Sequence, residues 1–328
     1  MTNKRKRAES LGKMKLDPRK LKGRDFLSIL DLSEEEMKYV ITFARDLKKF
    51  YYSGKRTIKL LNEKILFLIF QKPSTRTRLS FEIAMKQLGG HAIYSGWTEL
   101  QLSRGEDIAD TARVLSRYGD GIVARVYEQQ MLEELAKHSE IPVINGLSDI
   151  EHPVQALSDL MTIEEYFGSI QNLTVAFIGD GKDNVLNSLM IASLMLGSNF
   201  RVATPKELYP IEKYTKIASQ IAENKDLEFI ITEDPKEAIE GADVVYTDTW
   251  VSMGKEKEAE RRKEILLPYR VDKELFLLAS ERAVFMHCLP AHKGEEVTTE
   301  VFESNRSIVW QQAENRLHLQ KGLLALLL

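Results

Sequence analysis

The stretch Ile65-Leu66-Phe67-Leu68-Ile69-Phe70-Gln71-Lys72-Pro73-Ser74-Thr75-Arg76-Thr77-Arg78 decides the fold. Its first six residues are an unbroken apolar run. The run is too short for a helix and aliphatic enough for a buried parallel strand. Pro73 bars the strand from continuing. Ser74 and Thr75 are natural N-caps, and a helical pattern follows with Leu79, Ala84 and Leu88 on one side. A strand thus ends, the chain turns, and a helix starts where hydroxyls, free amides and two guanidinium groups lie together. A helix N-terminus favours an anion, and Arg76 adds a planar fork suited to two phosphate oxygens. Two readings stand at this point: a phosphate site without a glycine-rich loop, or an ordinary capped helix with solvated arginines.

The same alternation recurs on both sides of this stretch. Ser33-Glu34-Glu35-Glu36 is a capping box, followed by Met37, Val40, Ile41 and Ala44 at helical spacing. Downstream the pattern predicts a strand over 91–95, a polar loop over 98–107 and a helix over 107–118. A strand over 121–126, a helix over 128–137 and a strand over 141–144 come next. A turn-rich joint over 145–153 leads into a helix over 154–167. Strands over 173–178, 200–203, 227–231, 243–246 and 283–286 then alternate with helices, and a last helix over 310–327 is expected to pack back on the first half. This is the pattern of an α/β chain with two doubly wound parallel-sheet domains. A ligand in such sheets lies beyond the carboxyl ends of the strands, which places the site in the cleft between the domains.

A chain of 328 residues is long enough for two ordinary domains. With 43% hydrophobic residues it can build real cores. The net charge of -3 excludes a general attraction to nucleic acid. No apolar run approaches the roughly 20 residues that span a bilayer. The one cysteine, Cys288, leaves no intrachain disulfide, which fits a reducing, cytoplasmic setting. The basic start, Lys4 to Arg7 with Lys13, Lys15, Arg19, Lys20 and Lys22, has no apolar segment of a secretory signal and reads as a solvated tail over 1–24.

Several other clusters carry chemistry. His152-Pro153-Val154-Gln155 opens the helix after the joint, so imidazole and carboxamide can face one ligand. Gln155 could hold an amide NH2. Gly179-Asp180-Gly181-Lys182-Asp183-Asn184 has two glycines of a dinucleotide fingerprint, but Asn184 stands where the third belongs and no acidic residue closes the next strand. A loop placing the Asn184 amide over the cleft fits better. Asp248 follows a strand and precedes Ser252-Met253-Gly254, with Gly254 a possible hinge. The charged run 255–264 reads as a solvated helix face. His287-Cys288-Leu289-Pro290-Ala291-His292 admits three readings: a metal ligand set, a nucleophilic Cys–His pair, and a buried inert thiol. The absence of arginine from the 248–253 loop argues against a dicarboxylate co-substrate, and Asp248 with Cys288 suits a diamino acid.

Taken together the chain resembles the aspartate/ornithine carbamoyltransferase family, from about Leu30 to the C-terminus. The motifs are Ser-Thr-Arg-Thr-Arg at 74–78, Gln101-Leu-Ser-Arg-Gly-Glu106, Arg125, His-Pro-Val-Gln at 152–155, Asp248 with Ser252-Met253-Gly254, His-Cys-Leu-Pro at 287–290 and Glu-Asn-Arg at 314–316. Val154 stands where Cys or Thr is frequent, its side chain expected to face away. The resemblance implies carbamoyl phosphate held by Ser74, Thr75, Arg76, Thr77, Gln101, Arg125, His152, Pro153, Val154, Gln155, Cys288, Leu289 and Arg316. It implies L-ornithine held by Asn184, Asp248, Ser252, Met253, Cys288 and Leu289. The catalytic groups would be Arg76, Arg125, His152, Gln155, Asp248 and Cys288, with no cofactor and no metal. It implies a carbamoyl-phosphate domain over 25–158 joined by the helix 312–328, an ornithine domain over 159–311, and a homotrimer or an assembly of trimers whose sites are completed by a neighbouring subunit.

Overall fold

Leu66, Leu68, Ile69 and Phe70 are at most 2% exposed, which is what makes the first strand central rather than peripheral. In this computed structural model, which describes residues 17–251 and 258–328, that strand is β1 (Ile65–Phe70). It lies between β2 (His91–Gly96) and β3 (Gly121–Arg125), and β4 (Val143–Leu147) pairs with β3, giving a parallel sheet of order β2-β1-β3-β4. A second parallel sheet has the order β7-β6-β5-β8-β9, from β5 (Thr174–Ile178), β6 (Asn199–Ala203), β7 (Phe229–Thr232), β8 (Val244–Tyr246) and β9 (Val284–Met286). All ladders are parallel, so each connection must cross a face, and helices cover both faces.

The capping box at Ser33 starts α1 (Glu34–Tyr52) and all four expected inward residues are buried. Ser74 caps α2 (Thr75–Leu88), and Gly89, at a left-handed φ of 87°, ends it. The buried face of α2 is Thr77, Phe81, Ala84, Met85 and Leu88; Leu79, expected inward, is 47% exposed. The reason is that Phe81 and Met85 carry more apolar surface to the core than Leu79 can from the opposite stripe. Helices α3 (Ile108–Tyr118) and α4 (Gln129–His138) cover the outer face of the first sheet. The loop expected over 98–107 contains two short 3-10 turns, Trp97–Glu99 and Gln101–Arg104. Strand β4 runs on through Leu147, so the joint is shorter than expected and starts at Ser148.

Helix α5 (Pro153–Phe167) is buried along its first eleven residues and belongs to one apolar core that runs unbroken from the first sheet to the second. Helices α6 (Asn184–Leu196) and α7 (Glu212–Lys225) contribute to that core, and α8 (Pro235–Ile239), α9 (Ala259–Leu266), α10 (Lys273–Phe276) and α11 (Thr299–Phe302) lie on the second sheet's other side. The last helix, α12 (Val309–Leu327), packs on α1, α2 and α5, as its apolar end predicts. Residues 17–24, read as part of the tail, sit against the body: Leu21 is fully buried and the Gly23 amide donates to the Leu327 carbonyl at 2.8 Å. The basic residues before Asp17 lie outside the described residues. Among the described residues no helix is long and apolar enough to cross a membrane.

Candidate active site

The carboxyl ends of β1, β3 and β4 open on the same cavity as those of β5, β8 and β9; its volume is about 520 Å³. Each wall follows from a local chain feature. On the first wall the Ser74 Oγ accepts the Thr77 amide at 3.3 Å, leaving the amides of Thr75 and Arg76 without helical partners at the cavity edge. Arg125 is the last residue of β3, pinned in register opposite Phe70, and its carbonyl accepts the Gln71 amide at 2.8 Å. Arg316 reaches in from α12, and its Nη2 donates to the Thr77 hydroxyl at 2.6 Å. Thr77 is fully buried, so it supports Arg316 rather than lining the cavity.

Burial draws both Arg125 and Arg316 down to about 10, and neighbouring guanidinium groups add to the effect: Arg316 and Arg76 act on Arg125, and Arg76 on Arg316. Both remain cationic at neutral pH. Among the described residues, Arg76 Nε and Arg316 Nε are buried without a hydrogen-bond partner. His152 caps α5 and is 3% exposed; its amide donates to Ser188 Oγ at 3.1 Å, while Nδ1 has no partner. Burial, then Arg316 and Arg125, push its pKa well below 6.5, so the ring is neutral. Gln155 sits three residues on and shares the cavity. Pro153 and Val154 are buried between them, and the Val154 side chain joins the apolar core, facing away as expected.

The second wall carries the carboxylates Asp183 and Asp248, with Lys182 beside them. Asp248 lies two residues beyond β8, accepts the Thr249 amide at 2.7 Å and accepts the Cys288 thiol at 3.1 Å. Burial raises its pKa, while His287, the thiol and the Thr249 amide oppose the rise. Burial, then Asp248 and Asp183, push the Cys288 thiol well up, so it is protonated and donating. The nucleophilic Cys–His reading does not survive this geometry: His287 Nδ1 is taken by the Leu289 amide at 2.9 Å, and its Nε2 faces Glu296 at 3.2 Å. Leu289 lines the cavity at a left-handed φ of 64°, a strained conformation for a branched side chain. Asn184, the first residue of α6, lines the cavity while its Nδ2 donates to the Ser148 carbonyl at 2.7 Å.

The glycines of this turn serve packing. Gly179 has φ 139°, and a Cβ on Gly181 would lie 2.3 Å from the Leu208 carbonyl oxygen. Gln101 is exposed on its 3-10 turn and does not line the cavity of its own chain. Ser252, Met253 and Gly254 lie outside the described residues, as do 255–257 of the charged run. The rest of that run is not wholly solvated: Arg262 is 4% exposed, ion-paired with Asp180, and its Nε donates to the Trp250 carbonyl at 2.9 Å. A buried carboxylate and a backbone turn supplied its partners, which a local charge count cannot show.

Among the cavity residues that the sequence reading did not assign to the site are Lys72 and Asp183. Lys72, 6% exposed with its Nζ 4.5 Å from the Tyr127 ring centroid, belongs to the same turn as Ser74. Asp183 caps α6 through Oδ1, accepting the Val185 amide at 2.7 Å and that of Leu186 at 3.1 Å. An Asp immediately before an apolar helix was the available signal. Among the described residues, two sets of side chains have metal-ligating types within 4.8 Å: Asp248, His287 and Cys288, and His292, Glu295 and Glu296. In the first set the thiol proton and the Leu289 amide occupy the donor atoms.

Residues 24–165 match the domain described as aspartate/ornithine carbamoyltransferase, carbamoyl-P binding domain, and residues 171–327 match the Asp/Orn binding domain of the same description. The chain belongs to the aspartate/ornithine carbamoyltransferase family. It is 55% identical over 309 residues to an ornithine carbamoyltransferase of Staphylothermus marinus, covering 94% of this chain and 98% of that protein. The solved structure of the ornithine carbamoyltransferase from Pyrococcus furiosus is similar at 53% identity and a TM-score of 0.90, covering 94% of this chain and 97% of that one. The one from Gloeobacter violaceus is similar at 42% identity and a TM-score of 0.82, covering 92% and 98%. The first match ends at residue 165, near the end of α5 (Pro153–Phe167), and the second begins at 171, just after it; the start of that helix carries His152 and Gln155.

Proposed function

We propose that the chain transfers the carbamoyl group of carbamoyl phosphate to the δ-amine of L-ornithine, giving L-citrulline and phosphate in arginine biosynthesis. One observation carries the reading: a single cavity has a cationic wall with buried, unpartnered guanidinium nitrogens and, opposite, an acidic wall with a carboxylate and a thiol. Buried like charges are costly unless a counter-charge arrives, and a phosphate dianion is the matching ligand.

The phosphate is held by Arg76, Arg316, Ser74 and the amides of Thr75 and Arg76. Negative charge grows on it as the C–O bond breaks, and fixed donors there lower the barrier. Arg125 and neutral His152 hydrogen-bond the carbonyl oxygen, which becomes the oxyanion of the tetrahedral intermediate. The ornithine nitrogen attacks the carbonyl carbon directly. The C–O bond to phosphate then breaks, and the amine proton leaves with the phosphate. Asp248 and Cys288 orient the amine, Asn184 takes the amino-acid end, and Leu289 shapes the floor. Ser252 and Met253, which follow Asp248 in the sequence, are assigned with Asn184 to ornithine. Much of the rate comes from holding two substrates in line.

The carbamoyl-phosphate half is residues 25–158 with the helix 312–328, and the ornithine half is 159–311. The working unit is a cytoplasmic homotrimer or an assembly of trimers. Gln101, exposed outside its own cavity, enters a neighbour's site; the edge strand β2 and the exposed Leu79 and Ile83 of α2 support an assembly on that side. Turnover with carbamoyl phosphate is measured across ornithine, putrescine and aspartate, with particle mass taken on the same sample. Citrulline is expected to form fastest. Faster carbamoyl-aspartate formation would reverse the substrate assignment.

A further inference from the structure

Asp159 is fully buried on α5, one turn after Gln155. Three side-chain donors converge on it. Gln155 Nε2 and Gln312 Nε2 each reach Oδ1 at 2.8 Å, and the Tyr246 hydroxyl reaches Oδ2 at 2.9 Å. The same Gln312 Nε2 lies 3.1 Å from the Tyr246 oxygen, and Gln312 Oε1 accepts the His287 amide at 2.8 Å. These partners come from both halves of the site. Gln155 lines the cavity beside His152; Tyr246 ends β8, two residues before Asp248; His287 precedes Cys288.

Burial raises the Asp159 pKa to about 7 against the opposing donors from Gln155, Gln312 and Tyr246; above that pH the group is a carboxylate that only accepts, so each neighbour must present a donor to it. A carboxamide that gives its NH2 to Asp159 turns its oxygen the other way. Gln155 Oε1 is buried and has no partner among the described residues. Leaving such an acceptor empty costs stability, and rotating the amide would set oxygen against carboxylate.

We propose that Asp159 is a positioning residue that locks the Gln155 carboxamide with Oε1 toward the cavity, as the acceptor for the carbamoyl NH2 group. Through Gln312 and Tyr246 it ties that acceptor to the loops carrying Cys288 and Asp248. The role rests on the reading that Gln155 meets the carbamoyl group. It separates the NH2 end from the oxygen end of the donor: Arg125 and His152 serve the oxygen, and Gln155 serves the nitrogen.

The test is a double-mutant cycle of Asp159→Asn and Gln155→Ala, assayed for citrulline with carbamoyl phosphate varied and with thermal melts on the same samples. Each single change is expected to lower kcat/KM for carbamoyl phosphate on the order of 10- to 100-fold, the scale of a misplaced substrate contact. The double variant is expected within about threefold of Gln155→Ala alone, because one change acts through the other. Additive losses overturn the proposal, as does an Asp159→Asn enzyme with a lower Tm and wild-type constants. If Asp159→Asn does not fold, Gln155→Glu tests the same point with the native carboxylate in place. It is expected to cost more carbamoyl phosphate affinity than Gln155→Ala, and an equal or smaller cost overturns the proposal. A wild-type chain that makes no citrulline overturns the assigned reaction and this role together; a working wild type with an additive cycle overturns this role alone.

Discussion

The two walls of the cleft carry opposite charge and differ in how far the protein itself satisfies that charge. The first wall brings Lys72, Arg76, Arg125 and Arg316 to one volume, with a neutral hydroxyl, Thr77, as the partner of Arg316. The second wall brings Asp183 and Asp248, and both are already engaged: one caps α6, the other accepts a thiol and an amide. On the cationic wall the Nε atoms of Arg76 and Arg316 are buried without a partner among the described residues. The acidic wall is a finished hydrogen-bonded set that an amine has to join. The proposed function then carries an expectation: binding strength concentrated on the phosphate side and orientation on the amine side.

The sharpest way to break that contrast is Arg76→Ala. It removes a donor from the growing phosphate charge and is expected to lower kcat/KM for carbamoyl phosphate by about 10³-fold, the upper range for losing one such donor. Circular dichroism and Tm should stay near wild type, since Arg76 is only half buried and lies in a like-charged cluster. A folded variant with near wild-type turnover would remove the phosphate role. On the other wall, Asp248→Asn keeps shape and loses charge. A fall on the order of 10²-fold in kcat/KM for ornithine is expected, with the dissociation constant of carbamoyl phosphate little changed. If carbamoyl phosphate binding suffers instead, the walls are not separate subsites.

Inorganic phosphate probes the cationic wall without chemistry. At about 100 times its Kd it should add roughly 2.7 kcal/mol of stability, seen as a rise in Tm that Arg76→Ala abolishes and Asp248→Asn retains. The neutral His152 sets a pH sign for the same wall. Its folded pKa lies well below 6.5 while the unfolded chain takes up a proton near 6.5. The unfolded state thus binds more protons below that pH, and this group's contribution makes stability fall as pH drops through 6.5. Bound phosphate, a nearby dianion, should raise the His152 pKa; an NMR titration with and without phosphate reads the shift, and a downward shift would place the anion elsewhere.

The sequence was most legible where punctuation and chemistry coincide. Pro73 and Ser74 mark the end of β1 and the start of α2, and the same turn lines the cavity, so one stretch carried both the fold and a candidate anion site. Arg125 was placed at the carboxyl end of its strand by the apolar run before it, and its site role came from the family resemblance. Other residues were hidden by distance along the chain. The support of Arg316 by Thr77 spans 239 positions, and the partners of Asp159 come from three separate elements. Leu79 shows the limit of helical periodicity when two apolar stripes compete, and Arg262 the limit of reading charge runs as solvent faces. Asp183 was overlooked because its loop was weighed for glycine spacing, while the residue that mattered was the cap of the following helix.

The smallest expected effect separates two chemistries for the one cysteine. Its thiol is protonated and donates to Asp248 at 3.1 Å, and the neighbouring imidazole nitrogen is occupied by a backbone amide. A serine in its place can still donate to Asp248 but is shorter and fills less of the amine pocket. Cys288→Ser is therefore expected to raise the ornithine KM by up to about tenfold, worth about 1.4 kcal/mol, with the carbamoyl phosphate dissociation constant unchanged. Were the thiol a nucleophile forming a carbamoyl-thioester, the same change would cost turnover by several orders of magnitude. Steady-state kinetics on the one variant distinguish these outcomes, and unchanged ornithine kinetics would make the thiol simply part of the wall.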